Sequence, residues 1–281
     1  MSKKTRNWLI GIIILLVVVI GGYFSFVRPQ QQAAKTVTIG IMSGTKQDDQ
    51  LWDSVAKTAK DKYGITLKFK KFTDYNQPNK ALTNGDIDLN AFQHKLFLKQ
   101  WNKAHKTNIV AIGDTWITPI RLYSDKYKSV SDIPDGATIA VPNDATNESR
   151  ALFALKNAGL FSLKKGTTLA TVSDITNNTK NIKIKELSAE QVARSLSDVD
   201  AAVVNTNYAN AAGLNYKDAI FVEPTNADSA QWVNVIAANK KDKNKQVYKD
   251  VVKSLQTAET KRLIKKFYGT AELPAWDMSF K

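Results

Sequence analysis

The chain has 281 residues, 40 Lys and Arg against 26 Asp and Glu for a net charge of +14, and no cysteine. That length suits about two domains of 100–150 residues each. With 43% apolar and 23% charged residues the composition is globular, not disordered or fibrous. The missing cysteine removes disulfide frameworks, thiolate metal sites, thiol catalysis and thioether-linked lipid. With His94 and His105 as the whole histidine complement, neither a metal nor a cofactor is expected.

Residues 8–27 run for 20 positions without a charge, preceded by Lys3, Lys4 and Arg6 and closed by Arg28 and Pro29. At 1.5 Å rise per residue, 20 residues cover about 30 Å, the thickness of a bilayer core. Secretory apolar regions are shorter, about 7–15 residues. Cleavage after Ala34 would also place Gln32 where a small residue is wanted. The favoured reading is therefore an uncleaved membrane anchor, with cleavage after Ala34 second. The basic residues ahead of the span put the body outside the cell. Residues 28–35 read as a short polar tether. Setting aside the four basic residues before Lys35 leaves 36 basic against 26 acidic residues, a body charge of +10. Such a surface suits anionic wall polymers or lipid head groups. Nucleic acid is not expected as a partner, because the lysines are scattered without a basic run or recognition motif.

The body alternates strand and helix patterns. Residues 36–42 form a β-rich run ending at Ser43 and Gly44. Residues 48–62 carry Leu51, Val55, Ala59 and Tyr63 at near-helical spacing, with Gly64 as the stop. Ile65, Leu67 and Phe69 alternate with polar residues as a half-buried strand. Pro78 and Gly85 bracket a short helix. A strand over 87–91, a helix over 94–105 and a strand over 109–115 follow. The second stretch gives a strand over 138–141 and a helix over 147–158 stopped by Gly159. A strand over 182–186 precedes a helix opened by the capping-box pattern Ser188-x-x-Gln191. Strands over 201–205 and 220–223 flank a short helix ending at Gly213. A buried-strand run over 232–237 leads to helices over 242–257 and 259–268. This alternation predicts mainly parallel sheets with helices on both faces.

Ligands of such sheets sit beyond the carboxyl ends of the strands. There the chain offers Ser43, Thr45, Asp74, Tyr75, Asn76, residues 90–94, residues 115–119, residues 142–147 and residues 205–208. Those positions supply no nucleophile–base pair, carboxylate dyad or phosphate loop. They are groups that grip a small polar molecule, so an enzyme is not expected.

Several blocks carry a resemblance. They are Phe72-Thr73-Asp74-Tyr75 with Pro78-Asn79-Lys80-Ala81-Leu82, Asn90-Ala91-Phe92-Gln93-His94-Lys95, Val141-Pro142-Asn143-Asp144 with Thr146-Asn147 and Arg150, and Asn205-Thr206-Asn207-Tyr208-Ala209. Over nearly all of residues 36–276 the body resembles the methionine-binding NlpA-type substrate-binding proteins of ABC importers. The resemblance implies a two-lobed α/β fold of the type II periplasmic-binding-protein kind, closing on a ligand between its lobes. On that pattern residues 1–34 are stub, anchor and tether. Residues 35–118 with 234–281 form lobe one, and residues 119–233 form lobe two. The implied ligand is L-methionine or a close relative, such as a Met-containing dipeptide. The implied partners are a membrane permease and its cytoplasmic ATPase.

By the same resemblance Arg150 anchors the ligand carboxylate, in the first turn of a helix that Asn147 is expected to cap. A surface pairing of Arg150 with Glu148 or Asp144 is the plain alternative. His94, Tyr75, Phe92 and Trp232 fall at the pocket, with aromatic walls suited to a thioether. Asn147, Asn205 and Asn234 supply amide dipoles. Two departures stand out: the family's lipidated cysteine is missing, and Arg121 occupies a position where a small residue is usual. That guanidinium either reshapes the ligand site or faces solvent. A surface adhesion or wall-binding protein with a vestigial cleft is the rival reading from a different class.

Overall fold

The computed structural model describes residues 35–280, together with residues 15–17 and 20. The expected membrane span over 8–27 therefore lies, apart from those four positions, outside the described residues. Among the described residues no helix is long and apolar enough to cross a membrane.

The chain enters through β1 (Lys35–Met42). Thr45 then caps α1 (Lys46–Tyr63) through a reciprocal pair with Asp48, and Gly64 ends that helix at φ 67°. Only glycine takes up this left-handed turn without steric cost. β2 (Ile65–Phe72), α2 (Gln77–Asn84), β3 (Leu89–His94), α3 (Lys95–His105) and β4 (Ile109–Ile117) complete the first passage. After a crossing at Thr118–Ile120 the chain builds β5 (Arg121–Tyr123), β6 (Thr138–Pro142), α4 (Ala145–Asn157), β7 (Ser162–Leu163) and β8 (Ile175–Thr176). β9 (Lys183–Leu187), α5 (Ala189–Val192), β10 (Ala201–Val204), α6 (Thr206–Ala211) and β11 (Phe221–Val222) follow. It then returns through β12 (Val233–Asn239), α7 (Gln246–Leu255), α8 (Ala258–Tyr268) and β13 (Leu273–Pro274).

Two sheets result. The first has the order β13-β4-β12-β3-β1-β2 and the second β11-β5-β10-β6-β9. Each has its own core. Ile39, Val55, Ile236 and Leu255 pack in the first half, and Ile139, Leu152, Leu155 and Val203 in the second. Burying side chains of this size contributes roughly 1.5–3 kcal/mol each.

The expectation of mainly parallel sheets needs correction. β1 pairs in parallel with β2 and β3, and β6 in parallel with β9 and β10. β12 runs antiparallel to both β3 and β4, β13 antiparallel to β4, and β5 antiparallel to β10 and β11. β5 and β12 are reached by the crossings, where the chain arrives from the other half instead of through a helix of its own half, while β13 follows α8 within its own half. The capping box expected at Ser188 is absent: Ser188 precedes α5 but its side chain makes no capping bond. The helix tightens after one turn into a 3-10 segment, Ala193–Asp198.

Candidate functional site

A cavity lies between the halves at the strand ends. Seven of the eight residues singled out by sequence line it: Tyr75, Phe92, His94, Asn147, Arg150, Asn205 and Asn234. Trp232 stands outside the lining. It backs two of those residues, with its ring edge-on to His94 at 5.0 Å and the Arg150 guanidinium 4.8 Å from its centroid.

His94 closes β3 and caps α3. Its Nδ1 accepts the Phe97 amide N–H at 3.0 Å. Burial, and then the charge of Arg150, holds its pKa down to about 3. The ring is thus neutral, and with Nδ1 an acceptor its proton sits on Nε2. Nε2 is buried and faces the Asn147 side chain, but makes no hydrogen bond of good geometry to the described residues.

A relay runs along the start of α4. Asp144, not Asn147, caps this helix, accepting the Asn147 amide N–H at 3.1 Å. The reason is local: Asp144 precedes the first helical residue, while Asn147 already lies within the first turn. The carboxylate can only accept, so the Asn147 Nδ2 donates to it at 2.8 Å and its Oδ1 turns to Asn205. Asn205 Nδ2 donates to that oxygen at 2.9 Å, which leaves Asn205 Oδ1 buried and without a partner among the described residues.

Arg150 is 3% exposed and does not pair with Glu148 or Asp144. It is held by Glu223, which follows β11. Nε donates to both Glu223 oxygens at 3.0 and 3.1 Å, and Nη2 donates to Oε2 at 2.6 Å and to the Thr118 carbonyl at 3.0 Å. Glu223 also accepts the Ile120 amide N–H at 3.2 Å. Nη1 carries no hydrogen bond to the described residues.

Tyr75, Phe92 and Phe97 form an aromatic wall with centroids 5.9 to 6.1 Å apart. The Tyr75 hydroxyl crosses between the halves to donate to Asn207 Oδ1 at 2.5 Å, and burial holds that phenol well above its ordinary pKa. Tyr208 likewise donates across the cleft, to the Thr73 carbonyl at 3.0 Å. Gln93, Phe97, Thr118 and Asn207 complete the lining. Of these Phe97 carried no sequence signal beyond the helix pattern, and Glu223 none beyond standing at the end of a strand.

Arg121 neither lines this cavity nor faces solvent. It is 2% exposed. Its Nη1 donates to the Pro119 carbonyl at 2.7 Å and Nη2 to the Thr270 carbonyl at 2.9 Å. It therefore ties the crossing to the segment after α8. An adjoining cavity shares Phe92, Thr118, Asn207 and Asn234 with the first and is bounded by Asp48 and Glu272. Burial and the nearby Asp48 push Glu272 up to about 8, and its Oε1 accepts from Asn210 at 3.3 Å. Among the described residues no group of three or more His, Asp or Glu could hold a metal ion.

The lining thus offers a guanidinium end, an imidazole N–H and an amide N–H as donors, an amide oxygen as acceptor, and an aromatic wall. It holds no nucleophile beside a base. Comparison with known proteins places the chain in a family. The family profile described as NlpA lipoprotein matches residues 37–276. A probable D-methionine-binding lipoprotein MetQ of Pasteurella multocida is 42% identical over 244 residues, covering 86% of this chain and 87% of that protein. The D-methionine-binding lipoprotein MetQ of Escherichia coli K12 is 41% identical, covering 85% of this chain and 88% of that one. The substrate-binding protein of a methionine transporter from Streptococcus pneumoniae superposes with a TM-score of 0.82 at 47% identity, over 86% of this chain and 96% of its own. A nutrient-binding protein from Burkholderia cenocepacia, solved bound to methionine, gives 0.81 at 45% identity, over 85% of this chain and 99% of its own. The chain belongs to the NlpA lipoprotein family.

Proposed function

We propose that this protein is the substrate-binding receptor of an ABC importer and that it binds methionine by closure of two lobes, without chemistry. Lobe one is residues 35–118 with 234–281, and lobe two residues 119–233. The observation that carries the reading is the convergence of unpartnered polar atoms from both halves on one aromatic-walled cavity. His94 Nε2 and Asn207 Nδ2 are donors for a carboxylate, joined by Arg150 Nη1, which takes no part in the Glu223 and Thr118 bonds, and Asn205 Oδ1 is an acceptor for an ammonium. Buried polar groups without partners cost about 1–3 kcal/mol each, which a ligand of matching pattern recovers. Phe92, Phe97 and Tyr75 suit a thioether side chain, each sulfur–ring contact contributing roughly 0.3–1.5 kcal/mol. Trp232 acts from behind, holding His94 and Arg150 in place. Residues 8–27 anchor the body to the membrane beside the permease.

Native mass spectrometry of the chain as purified should detect a bound species of methionine mass. Calorimetric titration should give a saturable site for L- or D-methionine. Arg150→Ala should weaken binding by about 100-fold or more, as expected when a buried carboxylate loses its charged partner. A chain that binds neither isomer overturns the assignment, and near-normal affinity in R150A overturns the carboxylate role.

A further inference from the structure

Among the described residues Arg150 is the one charged side chain lining the main cavity, since His94 is neutral there. Its guanidinium is not offered bare. Glu223 takes the Nε–Nη2 edge side-on through three contacts of 2.6 to 3.1 Å, and its own side chain is 12% exposed. The face of the guanidinium lies against Trp232 and the Thr118 carbonyl takes a further Nη2 bond, so Nη1 is the end left for a ligand. Asp144, the other acid near the cavity, is fixed by Thr146, the Asn147 amide and the Asn147 side chain, and does not line it. Asp48 and Glu272 bound the neighbouring cavity.

We infer that Glu223 is a specificity-determining residue: by neutralising Arg150 it cancels the positive charge of the lining, and so favours ligands that carry a carboxylate and an ammonium together over the corresponding carboxylate anions. The inference rests on the reading of this cavity as an amino-acid site. A bare buried guanidinium would bind any carboxylate strongly, because the ion pair would relieve an uncompensated charge. With Glu223 in place that charge is already balanced. An incoming anion then brings an excess negative charge into the site, whereas a zwitterion brings none. The ammonium needs no carboxylate of its own, and the lining offers it the Asn205 amide oxygen instead. Selection for the zwitterion thus comes from charge balance on the carboxylate side of the ligand as well as from contacts to the nitrogen.

The test compares L-methionine with 4-(methylthio)butanoate, the same molecule without its ammonium, by calorimetry on the full chain in detergent micelles. The wild type should prefer methionine strongly. In Glu223→Gln the guanidinium keeps a hydrogen-bond partner but loses its counter-charge. The ratio of the two affinities should then fall by about tenfold or more, through tighter binding of the anion. Glu223→Asp keeps the charge at shorter reach, and should weaken both ligands by a similar factor with their ratio within about twofold of wild type. If Glu223 merely holds the fold together, both variants weaken both ligands equally, and an unchanged ratio in E223Q overturns the inference. A wild type that binds methionine but shows no preference over the anion overturns it too. A wild type that binds neither compound overturns the amino-acid reading on which it stands.

Discussion

At His94 the two ring nitrogens have separate tasks. Nδ1 closes the first turn of α3, and Nε2 carries its proton into the cavity. A cap that must accept and a ligand contact that must donate are met by the neutral ring alone, and burial supplies the neutrality. With its pKa near 3, this histidine does not titrate across the ordinary range. Methionine affinity should therefore be flat between about pH 5.5 and 8, where a solvent-exposed histidine would change charge near 6.5. A break in log Kd near 6.5 would show that the ring protonates and that Nδ1 does not hold its cap. The amides around it were legible as residue types in the Asn-Ala-Phe-Gln-His and Thr-Asn blocks. Their orientation was not, because it is set by the Asp144 carboxylate at the far end of the relay. The partner of Arg150 was hidden for a different reason. Glu223 is 73 positions away and is brought to it by the folding of the whole second half.

At the level of the elements, α2 is attached to β3 by a closed set of side-chain amides. Asn79 Nδ2 donates to Gln93 Oε1 at 2.8 Å, while Gln93 Nε2 and Asn90 Nδ2 donate back to Asn79 Oδ1 at 2.7 and 2.9 Å. All three residues are buried. Gln93 lies between Phe92 and His94, so this cluster fixes the strand end that carries both to the cavity. Asn79→Ala would leave Gln93 and Asn90 with unmet groups and should cost about 1–3 kcal/mol in denaturant unfolding. It should also weaken methionine binding, although Asn79 does not line the site. A loss below about 0.5 kcal/mol would show that water replaces the missing amide. Long elements with strong periodicity, such as α1 and α3, could be read from the chain within a few residues. β5 could not, since its three residues Arg121–Tyr123 are too few for an alternation to register. β13 was missed for the same reason, at two residues. The antiparallel pairings of β5 and β12 escaped because strand direction there is decided by the crossings, which leave no periodic trace.

Across the whole molecule two buried groups set opposing dependences on pH. His94 titrates near 3 when folded and near 6.5 when unfolded. Its contribution to stability is complete above 6.5 and is lost as pH falls from there toward 3. Glu272 titrates near 8 when folded and near 4.5 when unfolded. Its protonated form is favoured by the fold, so its contribution is complete below 4.5 and is lost as pH rises through 8. Each limb has a slope of up to about 1.4 kcal/mol per pH unit. They oppose each other between about 4.5 and 6.5, so the thermal midpoint should vary least there and fall between 6.5 and 8. Glu272→Gln should remove that fall, and an unaltered alkaline limb would assign it to another group. The geometry of chain entry has a separate, mechanical consequence. β1 begins at Lys35 and reaches the cleft at Met42, which bounds the second cavity. Eight residues at about 3.3 Å each put Lys35 about 25 Å from the mouth, at the far end of the strand. A pull applied at Lys35 would therefore act on one half alone, and the other half is joined to it by the Thr118–Ile120 crossing and the return that leads into β12. Such a pull would pass into β1 and not across the opening, so the jaw could work while the body is held.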